Sequence, residues 1–197
     1  GYAFQDCAAL TAVDMLAVET VLPHAFRECT SLETVDMPDV NAVGDYAFGA
    51  CTSLKTMDMP AVKSVRVGTF TECTSLTTMD MPAVETVGHA AFEDCTSLTK
   101  VRMLTVKTVK ADAMAGCTAL TGVEMPILTT IGERAFRGCT ALTAVDMGAG
   151  KTVGGYACSH CTSLTTVDMP AVETVTLSAF SHCTSLTAVH MGPVKTA

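Results

Sequence analysis

Residues 29–50 read CTSLETVDMPDVNAVGDYAFGA, and the next residue, Cys51, begins the same phrase again. Cysteines fall at 7, 29, 51, 73, 95, 117, 139, 161 and 183, always 22 residues apart, with no insertion or deletion along the chain. Leu follows each Cys by three residues, Val or Met by six, and Met by eight, in every copy. Ala-Phe precedes most of the cysteines, as in Ala47, Phe48 and Cys51. A period of 20–50 residues is the mark of a stacked repeat architecture, so the unit rather than the chain is the thing to fold.

Val35-Asp36-Met37 alternates apolar, polar, apolar, which places Val and Met on one side of a short strand and Asp on the other. Pro follows Met at Pro38, Pro60, Pro82, Pro126 and Pro170 and stops the strand, because it has no N–H to give a ladder. The β-branched stretch after it, Val-Glu-Thr-Val in the consensus, suits a second short strand. Gly44, Gly88, Gly132 and Gly154 then read as turns. Ala, Phe and Cys at i, i+1 and i+4 share one side of a helical turn, which predicts a short α- or 3₁₀-helix with its apolar face inward. One unit cannot bury that face alone, but stacked units bury columns of Leu on Leu, Met on Met and Phe on Phe. Nine strands at the usual spacing make a sheet roughly 40 Å long.

The motif L-x-x-V-x-M, continued as M-P-x-V-x-x-V-G-x-x-A-F-x-x-C, resembles the BspA-like, Treponema-type leucine-rich repeats over the whole chain. The resemblance implies an α/β fold: a right-handed solenoid of about nine 22-residue coils, with a parallel sheet on the concave face and short α or 3₁₀ turns on the convex one. Two features depart from the commoner leucine-rich repeats. Val40, Val62 and Val84 stand where a buried Asn ladder is usual, and Met replaces Leu at the last strand position, giving a more adaptable core. The resemblance also implies a cell-surface, secreted or periplasmic setting and a role in adhesion or protein interaction. On this reading residues 1–197 form a single array, cut mid-repeat at both ends and without visible caps. Exposed edges near Leu10 and Leu186 then invite self-association.

Composition narrows the partners. A net charge of −8 disfavours nucleic acid and anionic membrane surfaces. No apolar run approaches the ~20 residues of a spanning helix. Residues Gly1 to Asp6 show neither the charged nor the apolar part of a signal peptide, which reads as a mature form or an excised fragment. Columns of identical groups do not supply the convergent nucleophile, base and oxyanion site that an enzyme needs, and the common catalytic motifs are missing. No cofactor or metal is expected.

Three features bear on binding. Seven residues after each Cys stands a mid-strand column facing solvent on the concave side: Asp14, Asp36, Asp58, Asp80, Arg102, Glu124, Asp146, Asp168 and His190. It suits a protein partner, a host extracellular protein among the candidates, or a cationic ligand or metal ion; copying of the unit and a purely structural spacer are the competing readings. Arg102, with Lys100 beside it, breaks the column, either as a sign change for a partner to read or as relief of repulsion between Asp80 and Glu124. Lys63, Glu85, Lys107, Lys151, Glu173 and Lys195, twelve after Cys, are expected to pair across coils. Gly148-Ala149-Gly150 replaces Pro-Ala-Val, and Cys158 replaces Phe, in the unit starting at Cys139. Both delete inward volume, which points to a pocket or kink at Gly150 and Cys158. The nine column cysteines read as inward thiols packed as small apolar groups. Cys158, His160, Cys161 and His182 alternate between inside and outside, so they do not converge as zinc ligands.

Overall fold

The computed structural model describes residues 1–146 and 149–192. Most coils contribute two short strands, separated by turns. The first of each pair are β1 (Ala12–Asp14), β3 (Thr34–Asp36), β6 (Thr78–Asp80), β8 (Lys100–Arg102), β10 (Gly122–Glu124), β12 (Ala144–Asp146), β14 (Thr166–Met169) and β16 (Ala188–Met191). The second are β2 (Thr20–Val21), β4 (Ala42–Val43), β5 (Ser64–Val65), β7 (Thr86–Val87), β9 (Thr108–Val109), β11 (Thr130–Ile131), β13 (Thr152–Val153) and β15 (Thr174–Val175). All pairings are parallel and join residues 22 apart, as Val13 to Val35 and Val65 to Val87. With Thr56 bridging Thr34 and Thr78, the first-strand position recurs nine times and the second eight times, about eight full turns of solenoid.

The first ladder is not one unbroken sheet. It runs β1-β3, then through Thr56 to β6-β8-β10, and separately β12-β14-β16; among the described residues no ladder pairs β10 with β12. The second ladder holds six strands, β5-β7-β9-β11-β13-β15, with β2-β4 apart. In β3 the Val is buried between an exposed Thr and an exposed Asp, as period-2 alternation requires. Pro38 does more than end β3. The Val40 N–H donates to the Met37 carbonyl at 3.2 Å, so Pro occupies the second position of a β-turn, where its fixed φ fits. Cys-Thr-Ser-Leu closes a second turn in the same way, Leu32 N–H to Cys29 carbonyl at 3.0 Å.

The expected helical turn before each Cys does not form. In every coil a residue 17 and a residue 21 after Cys adopt the left-handed conformation, such as His24 (φ 57°) and Glu28 (φ 63°), or Tyr46 (φ 54°) and Ala50 (φ 56°). Only three residues remain between them, too few for a helix. Alternate amides also point along the solenoid axis. Tyr46, Phe48 and Ala50 donate to the carbonyls of Val67, Thr69 and Thr71 in the next coil at 2.8–2.9 Å, while Ala47, Gly49 and Cys51 close i→i+3 turns. The segment is therefore a third hydrogen-bonded face of the coil. The inward placement of Ala47, Phe48 and Cys51 holds, since all three are fully buried.

The four glycines read as turns have another role. Gly44, Gly88, Gly132 and Gly154 are not among the glycines with positive φ. A Cβ on Gly88 would lie 2.6 Å from the Arg66 carbonyl carbon, so close approach of coils requires glycine there.

The core is a set of columns. The rings of Phe4, Phe26, Phe48, Phe70 and Phe92 stack at 5.1–5.7 Å, each pair adding about 0.5–1.5 kcal/mol to simple burial. Met114 and Cys158 take the same place in two later coils and are also buried. Val40, Val62, Val84 and Val106 form the apolar column where an Asn ladder is absent. All ten cysteines are free thiols. In the column from Cys29 to Cys183 the Sγ–H groups donate to the carbonyl of the residue 25 positions earlier, Cys51 to Phe26 at 3.1 Å and Cys95 to Phe70 at 3.0 Å among them, whereas Cys7, with no coil before it, is exposed rather than inward. At the last described coil Val189 is 46% exposed, against 1% for Val167 one coil inward.

Candidate functional site

The first ladder carries the charged column outward and in register. Asp14 sits opposite Asp36, Asp80 and Glu124 flank Arg102, Asp146 faces Asp168, and Asp168 faces His190. All nine positions, with Asp58 between Asp36 and Asp80, are exposed. Like charges directly opposite on neighbouring strands cost up to ~1 kcal/mol each in stability, so the acidic stretch from Asp14 to Asp58 is held together by the core beneath, not by its own contacts.

Arg102 is clamped from both sides. Its NH1 lies 3.2 Å from an Asp80 carboxylate oxygen, and its Nε lies 3.4 Å from Glu124. This geometry favours relief of repulsion over a free positive charge. Lys100, two residues earlier on β8, is exposed, and among the described residues its ammonium makes no ion pair. Lys100 and Arg102 line a shallow hollow of about 340 Å³ with Thr78, Asp80, Gly122 and Glu124. Gly122 leaves this space: a Cβ there would meet nothing within 4 Å, and Val123 below it is half-buried where the equivalent Val101 is fully buried.

Gly150 and Cys158 lie elsewhere, inside the stack, and both are buried. The Cys158 thiol hydrogen-bonds Cys161; with burial, that bond holds Cys158 well above the ordinary thiol range and draws Cys161 below it. His160 and His182 point outward instead, with parallel rings stacked at 4.3 Å. The two sulfurs and two imidazoles therefore stand on opposite sides of the backbone. Burial pushes the thiols of Cys51 and Cys117 up to about 12, so these two carry no nucleophilic thiolate at neutral pH.

The lysine–glutamate column twelve after Cys stacks in register, Glu85 N–H to Lys63 carbonyl at 2.9 Å. Yet among the described residues no ion pair joins Lys63, Glu85 and Lys107. Cross-coil pairs form at other offsets: Lys55 to Glu33 at 2.7 Å, Arg66 to Asp45 at 2.9 Å and Arg134 to Asp112 at 2.8 Å. Three further features were not foreseen from the sequence. The hydroxyls of Thr77, Thr99, Thr121 and Thr143 each donate to the carbonyl 22 residues earlier, a side-chain ladder beside the main-chain one. Tyr2, His24 and Tyr46 stack at 4.8 and 5.4 Å on the outer face. On the same side a hollow of about 420 Å³ opens over Gly116 and Gly138, with Glu93 and Asp94 at one end and Arg137 and His160 at the other. Burial, then Asp112 and Asp94, raise the Glu93 carboxyl above its ordinary value. The repeated Thr just before each of these strands was a visible signal for the first feature; nothing common to Tyr, His and Gly signalled the others.

Residues 1–121 and 63–187 match the profile of the BspA type leucine rich repeat region, in six copies. Among solved structures, a leucine-rich-repeat protein of T. pallidum is 25% identical, with a TM-score of 0.63 over 89% of this chain and 78% of that one. The pneumococcal vaccine antigen PcpA is 15% identical, with a TM-score of 0.53 over 95% of this chain and 57% of that one. A leucine-rich-repeat protein of Bacteroides ovatus is 20% identical, with a TM-score of 0.46 over 95% of this chain and 74% of that one. No curated protein matches the chain.

Proposed function

We propose, from the premise that this chain belongs to the BspA-type leucine-rich-repeat family, that it is a non-enzymatic scaffold or adhesin that binds a protein partner through the first-ladder face, at the cell surface or after secretion. Leucine-rich-repeat arrays in general serve as protein-interaction scaffolds. No helix among the described residues is long and apolar enough to cross a membrane.

The observation that carries the reading is the in-register carboxylate column. Asp14, Asp36, Asp58 and Asp80 stand on consecutive coils, one strand spacing or ~4.8 Å apart, with no salt bridge between Asp14 and Asp58 to offset them among the described residues. An extended segment bearing Lys or Arg relieves that repulsion as it binds and gains electrostatic steering on approach. The Lys100–Arg102 hollow interrupts the column and gives such a partner one fixed register. A host extracellular protein with an exposed basic segment has the matching chemistry.

The test is isothermal calorimetry with a Lys/Arg-rich peptide, and in parallel with calcium, on the wild type and on the triple variant Asp36→Ser, Asp58→Ser, Asp80→Ser. Peptide heat that disappears in the variant supports the reading. Heat from calcium alone favours a cation surface. Silence with both leaves the array as a spacer and refutes the binding assignment. A pull-down against host extracellular proteins with the same two proteins then identifies the partner.

A further inference from the structure

We infer that the second-ladder face carries a separate site for an anionic carbohydrate, one bearing a sulfate or phosphate ester. The chain as a whole has a net charge of −8. On this face, however, Lys63, Arg66, Lys107 and Lys110 lie within three consecutive coils, opposed by Glu85 within them and by Asp45 from the coil before. Four cations against two carboxylates leave a local excess of two positive charges on a strongly acidic molecule.

The face also holds a hollow of the right kind. A space of about 290 Å³ is lined by Ser64, Arg66, Thr86, Gly88 and Lys110, with Asp45 at its rim. Gly88 occupies the place between Arg66 and Lys110 in the column fifteen residues after Cys. Coil packing forbids a side chain there, so the gap between the two cations is built into the backbone. Asp45 holds the Arg66 Nε at 2.9 Å, which aims the guanidinium without engaging its two terminal nitrogens in a hydrogen bond among the described residues. The Lys110 ammonium is exposed and makes no ion pair or hydrogen bond among them. A guanidinium fork and an ammonium flanking an empty pocket are the groups that bind a tetrahedral oxyanion.

The hydroxyls beside this hollow are unengaged among the described residues, as are those of Thr34, Thr56 and Thr78 on the first ladder, which stand beside the carboxylate column instead of beside cations. Thr77, Thr99 and Thr121 spend their donors on the neighbouring coil, at 3.3, 3.0 and 3.1 Å. Ser64, Thr86 and Thr108, stacked in register on β5, β7 and β9, make no such bond among the described residues. They form a column of free donors and acceptors at ~4.8 Å spacing beside the cationic hollow, suited to the hydroxyls of a sugar chain. A nucleic acid fits less well. The outward residues of these strands are Ser and Thr, with no aromatic ring for a base to stack on, and the overall acidic field repels a long polyphosphate.

The test uses the full chain and four probes at low, constant ionic strength: inorganic sulfate, a heparin-derived hexasaccharide, its desulfated counterpart, and an oligonucleotide of equal charge. The sulfated sugar is expected to bind more tightly than sulfate ion, desulfated sugar or oligonucleotide. Lys110→Gln should weaken it roughly tenfold through loss of one charge-assisted contact. Lys100→Gln, the same charge change on the first ladder, should leave it unaltered; far-UV spectra and melting temperatures check that both variants fold. Equal weakening by both variants, oligonucleotide binding as tight as the sugar, sulfate ion binding with no gain from the sugar, or no binding of any probe would each overturn the assignment.

Discussion

The thiol of Cys95 donates to the carbonyl of Phe70, 25 residues earlier in the chain and one coil away, at 3.0 Å. The same bond recurs along the stack, so the cysteine column is more than small apolar filler. Each thiol satisfies a carbonyl lone pair in a region closed to water, beside the stacked Phe rings. Cys95→Ala removes the donor and leaves a small void. The expected cost is about 1–2 kcal/mol, measured by urea unfolding of the variant against the wild type. An unchanged midpoint would show that the S–H···O contact contributes nothing.

Burial of the same thiols makes stability depend on pH at the alkaline end. Cys51 and Cys117 are pushed from an ordinary 9.0 to about 12, chiefly by desolvation. Above pH 9 the unfolded chain loses these protons while the folded chain keeps them. The unfolded state then binds fewer protons, and stability falls as pH rises from 9 towards 12, by at most about 1.4 kcal/mol per pH unit for each such thiol. Thermal melts between pH 8 and 11 should show a steepening loss, and the double variant Cys51→Ala, Cys117→Ala should lose less over that range than the wild type. Parallel slopes in the two proteins would rule the mechanism out.

The left-handed residues of the outer face give a test whose sign separates two folds. Ala50 has φ 56°, a conformation that costs a side-chain-bearing residue about 1–2 kcal/mol. Ala50→Gly removes that strain and returns part of the gain as unfolded-state entropy, for a net stabilisation of about 0.5–1 kcal/mol. In a helical turn the same change destabilises by a similar amount. The reverse change, Gly116→Ala, meets φ 74° and a neighbouring Asp94 carboxylate, and should destabilise. Differential scanning calorimetry of the two variants reads both signs.

These positions also show where the sequence stops being legible. The 22-residue period, the parallel register and the inward columns follow from side chains that repeat, because Val, Met, Leu, Phe and Cys each recur where volume and burial demand them. The left-handed corners recur too, but Tyr46, Ala90, Asp112 and Arg134 occupy one of them and share no chemistry. What fixes them is the direction of main-chain amides toward the next coil, and no side chain records that. The same holds for the two ladder faces. The carboxylate column was readable because one residue type repeats at one offset. The hollows over Gly88 and Gly122 were not, since each depends on what a glycine omits between side chains on the coils above and below.

Arg102 offers the last test, because its two carboxylate neighbours make its worth depend on salt. It bridges Asp80 at 3.2 Å and Glu124 at 3.4 Å while about half of its side chain stays in solvent. Exposed pairs contribute only ~0–1 kcal/mol each, so Arg102→Gln should cost little. Arg102→Asp goes further, restoring an unbroken acidic run from Asp80 to Glu124 and placing two like-charged pairs across adjacent strands. That is expected to cost about 1–2 kcal/mol at low ionic strength. At 1 M salt the Debye length falls to about 3 Å, and most of the penalty should vanish. Melting curves of wild type, Gln and Asp variants at 10 mM and 1 M sodium chloride separate this from packing. A deficit in the Asp variant that persists at high salt would mean that Arg102 supports the strand through its aliphatic stem, not through its charge.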